Sequence, residues 1–295
     1  MYAAPPMPRV AVVSDTTGYL PREIVEAHDV RLVSLYVNFG GERTEREADI
    51  TDLDAFYDEM RSAERLPTTS QPSVGDFVSV YEPLLAEGRD VVSVHLSAGL
   101  SGTTEAARQA AEALEREGRG GERVRVVDSS TAAGGLGLVT LAGARRAANG
   151  GDADAVVEAI RGARRELKMW FGIDTLEFLK RSGRIGAASA WIGSTLKIKP
   201  ILSLESEITA VERVRTSGRM FERLVDYARQ REASGAKAWV TQHIQSPDQE
   251  EDLLDRCREV FGRGPVFHSE IGPVLGAHTG PGLLGVGSIP EEFLA

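Results

Sequence analysis

The chain has a single cysteine, Cys257, in 295 residues. That excludes a disulfide framework and any zinc site built from several thiolates. It is also without positive excess: the net charge is −10 and no long basic stripe interrupts the acidic background. A nucleic-acid partner is therefore not expected. Nowhere do about 18 apolar residues run together, so no segment is expected to span a membrane. The first residues, MYAAPPMPR, hold no apolar stretch of signal-peptide length, and Pro5, Pro6 and Pro8 make a poor helix. Residues 1–8 read as a loose tail, and a cytoplasmic location is expected. The five histidines fall into no close metal-binding spacing, and no Gly-x-x-x-x-Gly-Lys-Ser/Thr loop is present, so neither a metal nor a phosphate-cradling cofactor site is expected. Gly280–Gly285 formally matches the dinucleotide fingerprint. The helix, second strand and acidic residue that such a site needs have no room before Ala295, and the match is rejected.

What is present is a globular composition, 42% hydrophobic and 26% charged, over a length that favours two domains. Short β-branched runs alternate with longer helical patterns, the signature of a largely parallel sheet covered by helices. The spacing predicts strands at Val10–Val13, Val30–Val37, Val91–Val94 and Val124–Val127. It predicts helices at Leu53–Ser62, Val74–Ala86, Thr103–Glu117, Ala132–Ala148 and Ala153–Leu167. Thr51 with Asp54, and Ser73 with Asp76, stand at capping-box spacing. The second half predicts strands at Met169–Ile173, Ile198–Leu204, Ile208–Val214, Ala238–Thr241 and Val266–Ile271, with a basic turn at Lys180–Ile185. A hairpin through Ser203–Ile208 makes this second sheet mixed. Helices are expected at Met220–Ala233 and Asp248–Phe261, the latter opened by Ser246 with Pro247 at its first position. The expected architecture is α/β in two domains: an N-terminal three-layer domain, 9–168, with a mostly parallel sheet, and a C-terminal domain, 169–295, with a mixed one.

Four hydroxyl-rich segments carry the polar chemistry. Ser14–Gly18, Ser97–Thr104 and Asp128–Thr131 each follow a predicted strand, and Pro67–Ser73 lies between two helices. The carboxyl ends of parallel strands share one rim, where ligands bind. None of the four segments contains Lys or Arg. Hydroxyls and glycine-loosened amides at helix starts suit a singly charged anion such as a carboxylate. Each segment taken alone is equally what a helix N-cap requires.

Ser-Asp-Thr-Thr at residues 14–17, Thr69–Ser73, Leu96–Thr103, Asp128–Ser129 and Gly134–Gly137 resemble, in this order, the motifs of the DegV family. So do Leu176–Arg184, Leu196–Leu202 and Gly276–Gly282, and the resemblance runs from about residue 9 to 290. It implies two α/β domains clasping a long-chain fatty acid in an apolar interdomain tunnel. It also implies a non-catalytic carrier, the binding subunit of a fatty acid kinase, presenting the carboxylate to a separate kinase that forms the acyl phosphate. Carried over by motif, the head group would meet Thr69 or Ser70 and Ser97, with Ser14, Gly99, Ser129 and Thr279 around it. His278 would stand nearby, linked to Arg215. Ala98 departs from the pattern, where many relatives carry a second Ser.

Other classes stay in view. His95 two residues before Ser97 invites a lipid hydrolase, although a hydrolase elbow needs Gly at that position and a strand residue there would be buried. A kinase for small polyols, or a transcriptional regulator, are further alternatives; no DNA-reading helix supports the last. Lys180, Arg181 and Arg184 read either as a docking surface or as a solvated turn.

Overall fold

The computed structural model describes residues 9–40, 43–192 and 198–295. The expected tail 1–8, and Leu196 of the Leu196–Leu202 motif, lie outside the described residues. The chain begins with β1 (Val10–Asp15), α1 (Arg22–Ala27), β2 (Arg31–Val33), β3 (Tyr36–Phe39) and β4 (Arg43–Arg46). Next come α2 (Leu53–Ser62), β5 (Thr68–Ser70), α3 (Val74–Ala86), β6 (Asp90–His95) and α4 (Thr103–Arg116). They lead to β7 (Val124–Asp128), α5 (Ala133–Ala148), α6 (Ala153–Glu166), β8 (Lys168–Gly172) and α7 (Glu177–Arg181). After these come β9 (Lys199–Glu205), β10 (Glu207–Val214), α8 (Ser217–Ala233), β11 (Ala238–Ile244) and α9 (Pro247–Phe261). The last elements are β12 (Phe267–Glu270), α10 (Pro273–Thr279) and β13 (Leu283–Ile289).

The N-terminal sheet is all parallel in the order β2-β1-β6-β7. Its central strands are buried along their length, which is why they read as continuous Val-rich runs. Its alternating residues serve two cores. Val10, Val12, Val92 and Val94 face one cluster; Ala11, Val13 and Val91 face another beneath α3 and α4. The C-terminal sheet is mixed, in the order β10-β9-β8-β13-β11-β12, with β11 and β12 parallel and the other pairs antiparallel.

Between the two sheets lies α5. Every residue from Ala133 to Ala144 is buried, so the first three turns have no solvent face and must be apolar or small all round. Glycine lets the flanking elements approach: a Cβ at Gly137 would stand 2.5 Å from the Phe267 ring, and one at Gly143 2.8 Å from Ile160. The result is one continuous apolar core running from β1 and β6 through α5 to β11 and β12.

Three local expectations are corrected. Val30–Val37 is two strands: the chain changes sheets at Ser34–Leu35, and β3 pairs antiparallel with β4 and β5 in a separate small sheet. Alternation along one run carries no information about such a change of partner. The cap of α2 is Asp52, whose carboxylate accepts from Ala55 N at 2.9 Å, not Thr51. Ser246 precedes α9 as expected, but its hydroxyl donates to Ile244 O and makes no cap bond. Ser73 and Asp76 do form the reciprocal capping box of α3.

Candidate functional site

A cavity of about 330 Å³ lies between the two sheets. Residues from both ends of the chain wall it, among them Leu96 and Ala132 from one half and Met169, Phe171, Leu204 and Ile208 from the other. Its floor is set by β13. Side chains of a strand alternate in direction, and here Leu283 packs toward the central core while Leu284 and Val286 pack under α8 and α9. Gly285 and Gly287 continue the face of Leu283. Gly285 lies opposite Phe171 and Gln242, and Gly287 opposite Met169 and Val240. Two cross-strand rows therefore have nothing at their centre, and the sheet carries a trough where side chains would otherwise meet.

One end of the cavity is polar. Thr69 and Ser70 come from β5, Ser101 and Gly102 from the start of α4, and His278 and Thr279 from α10, with Arg184 beside them. His278 Nε2 lies 2.7 Å from Thr69 Oγ1. Burial, with the Arg184 guanidinium nearby, lowers the His278 pKa to about 4, so the imidazole is neutral at physiological pH. Its Nδ1 is buried without a hydrogen-bond partner among the described residues. Thr279 Oγ1 donates to Leu275 O within its own helix at 2.8 Å. Gly102, the N-cap of α4, supplies no side-chain cap, so first-turn amides of that helix add positive potential to a rim already carrying Arg184.

Thr69, Ser70, His278 and Thr279 are thus brought together. Ser97, Gly99, Ser14, Ser129 and Arg215 stand outside the cavity wall. Ser97 Oγ donates to Ser206 O at 2.6 Å and accepts from Gly99 N at 3.2 Å. Gly99 lies against the same carbonyl, where a Cβ would come within 2.7 Å of Ser206 O. Ser14 Oγ is 3.1 Å from Thr140 Oγ1, and Ser129 closes a local turn with Thr131. Arg215 is exposed between β10 and α8; the guanidinium that acts on His278 is Arg184. In the sequence Arg184 stands in a basic turn that ends the Leu176–Arg184 motif, and Gly285 closes a rejected dinucleotide match; because glycine carries no side-chain signal, neither Gly285 nor Gly287 marks a trough.

His95 is bonded, but not to Ser97. Its Nε2 lies 2.6 Å from Ser93 Oγ and its Nδ1 3.0 Å from Asp15 Oδ2, and Tyr81 OH donates to the same Ser93 oxygen at 2.7 Å. All four side chains are buried, three on the parallel sheet and Tyr81 on α3, and none lines the cavity. A serine, a histidine and an aspartate in line are not a triad when the serine has no access to substrate.

The model of the DegV family, a family of uncharacterised proteins, matches residues 9–291. The chain belongs to the DegV family. A DegV domain-containing protein of Streptomyces coelicolor is 39% identical over 280 residues, covering 94% of this chain and 97% of the relative. Among solved structures, the fatty-acid-binding DegV family protein of Thermus thermophilus is 33% identical with a TM-score of 0.84, covering 96% of this chain and 100% of that one. DegV of Bacillus subtilis, also a fatty acid binding protein, is 30% identical with the same TM-score and coverage. Among the described residues no group of three or more His, Cys, Asp or Glu is placed to hold a metal, and no helix is long and apolar enough to cross a membrane.

Proposed function

We propose that the protein binds a long-chain fatty acid, its acyl chain in the cavity between an N-terminal domain, 9–168, and a C-terminal domain, 169–295. The observation that carries this reading is a glycine-floored apolar trough ending in one polar rim of hydroxyl, neutral imidazole and guanidinium. The fatty acid binding of the Thermus and Bacillus relatives supports it. Each buried methylene contributes about 0.8 kcal/mol, so ~14 of them offer roughly 11 kcal/mol before ordering costs. The rim then has only to orient the carboxylate and offset its desolvation. A neutral His278 that donates its Nε2–H to Thr69 leaves the Thr69 hydroxyl proton free for a carboxylate oxygen. Arg184 supplies the opposite charge.

The protein is a carrier in this reading, not an enzyme: Ser97 donates to a backbone carbonyl and has no base among the described residues. It works in the cytoplasm and presents the carboxylate to a separate kinase that forms the acyl phosphate. The test is mass spectrometry of an organic extract from purified protein, followed by binding of a fluorescent fatty acid to the delipidated protein. A near-stoichiometric C14–C20 acid is expected. No extractable acid, together with no binding at micromolar concentrations, would overturn the reading.

A further inference from the structure

The helix α10 holds His278 and Thr279 over the cavity, yet its own start is poorly equipped. Its N-cap is Gly272, which has no side chain, and Pro273 follows. The amides of Val274 and Leu275 are left without partners in their own segment. Both are satisfied from the other half of the chain. Glu47 Oε1 accepts from Val274 N at 2.8 Å, and the Tyr19 hydroxyl accepts from Leu275 N at 3.1 Å. Tyr19 OH in turn donates to Glu47 Oε1 at 2.9 Å, and Thr16 Oγ1 donates to Glu47 Oε2.

The local sequence is shaped around this contact. A Cβ at Gly272 would stand 2.8 Å from the Tyr19 ring and 3.2 Å from Glu47 Oε1, so only glycine admits both groups. Gly276, one turn on, leaves room for Tyr57, whose hydroxyl donates to Ile271 O at 2.9 Å. Tyr19 is itself held at φ 48, a left-handed conformation that an L side chain adopts at a cost of about 1–2 kcal/mol. Glu47 is 5% exposed, and its backbone N–H is tied to Leu35 O.

We propose that Glu47 is a positioning residue for the ligand site: with Tyr19 it caps α10 from across the interface and so fixes where His278 and Thr279 stand over the cavity. Its sense as part of a ligand site rests on the fatty-acid reading; the clamp itself does not.

The clamp responds to protons in a direction set by burial. Closed, the Glu47 carboxyl is raised to about 7, chiefly by desolvation, against which its hydrogen bonds to Thr16, Val274 and Tyr19 work. The titratable groups around it are Asp15, Tyr19 and Tyr57, with Glu270 beyond Tyr57 and no cation among them. If α10 lifts, the carboxyl is hydrated and returns toward the ordinary carboxylate range. The closed state therefore binds a proton more tightly than the open one. Closure is most favoured below the ordinary carboxylate range, is progressively lost as pH rises from there to about 7, and changes no further above 7, where both states are ionised.

The experiment compares Glu47→Gln, which mimics the protonated carboxyl and keeps an acceptor for Val274 N, with wild type and Glu47→Ala. Site-resolved hydrogen exchange of the Val274 and Leu275 amides in the ligand-free full chain, corrected for intrinsic exchange, reads the clamp alone. Between about pH 5 and 7, opening in wild type should grow by up to about 10-fold per pH unit relative to Glu47→Gln, and above pH 7 the ratio should stay constant. A fluorescent C18 fatty acid reads the consequence. Its affinity should fall about 10-fold or more in Glu47→Ala and be kept by Glu47→Gln, whose ratio to wild type cancels the probe's own titration. Parallel exchange profiles for wild type and Glu47→Gln from about pH 5 to 7 would overturn the proposal even if Glu47→Ala fails to fold. Exchange that follows pH as stated, with no probe bound by any variant, keeps the clamp and removes the fatty-acid reading.

Discussion

Ser97 and Thr69 are both hydroxyls in glycine- or proline-flanked polar segments, and they differ in what their neighbours leave them. Ser97 follows a central parallel strand, where the chain must turn sharply into a helix. Its hydroxyl donates to Ser206 O and accepts from Gly99 N, which leaves no donor hydrogen for a ligand. Ser14 and Ser129, at the ends of neighbouring strands, are engaged in the same inward manner. Thr69 lies on a three-residue strand of the small sheet, and its partner, His278, arrives from 209 residues away. A hydroxyl at the end of a parallel strand is consumed in building the turn. One at the seam between two halves of a molecule meets an incoming helix and keeps a free face toward the cavity.

Substitutions can sharpen this contrast, beginning where the effect is largest. Thr69→Val keeps the shape and removes the hydroxyl; affinity for a fatty acid should fall about 10- to 150-fold, the cost of one hydrogen bond to a charged group. The methyl ester of equal length should lose little, and titration of both ligands by fluorescence displacement checks the difference. Equal losses for acid and ester would move the head group elsewhere.

His278 offers a pH test of the same rim. Its pKa is about 4 in the folded protein against about 6.5 unfolded. Above pH 6.5 both forms are neutral and stability is unaffected; as pH falls from 6.5 to 4 the unfolded chain takes up the proton first and stability falls. The loss should be on the order of 3 kcal/mol by about pH 4, and His278→Asn should remove that part of the slope in urea melts between pH 4 and 7. Glu47, with its carboxyl raised to about 7, slopes oppositely over an overlapping window, so Glu47→Gln should steepen the wild-type curve.

Ser97→Ala should act on the fold and not on the ligand. It strands the Ser206 carbonyl and should cost about 1–2 kcal/mol of stability, with the preference for acid over ester unchanged. A lost preference would return Ser97 to the head group. Smallest of all, Ser14→Ala removes a bond between two hydroxyls that can each turn elsewhere. A change of about 1 kcal/mol or less in stability, and none in binding, is expected.

The fold was readable where one period ran long enough. The Val-rich strands β1 and β6, the helices α2 and α3, and the β9–β10 hairpin follow from alternation, heptad-like spacing and turn chemistry. Three elements that make the site were not. Thr68–Ser70 is too short for any period. Leu283–Ile289 loses its strand signature because Gly285 and Gly287 occupy the inward positions. Pro273–Thr279 begins at Gly-Pro, which reads as a turn, because its cap comes from Glu47 and Tyr19 far upstream. The site residues divide in the same way: Thr69 and His278 stand in motifs that sequence displays, whereas the choice of Arg184 over Arg215 depends on how α7 and α10 meet, which no local spacing encodes.

The trough in β13 also bears on how long the molecule lasts. Protein interiors are close-packed, and a sheet whose inner rows are missing their central side chains forgoes contacts that a filled core would have. An acyl chain bound there would supply them. On the fatty-acid reading, the cargo is then a structural component of the folded state: at a free concentration one hundred times its dissociation constant it adds about 2.7 kcal/mol, a shift of roughly a hundredfold in the population of unfolded chains. Supply of lipid would thereby govern turnover, with the empty carrier the one that proteases find first.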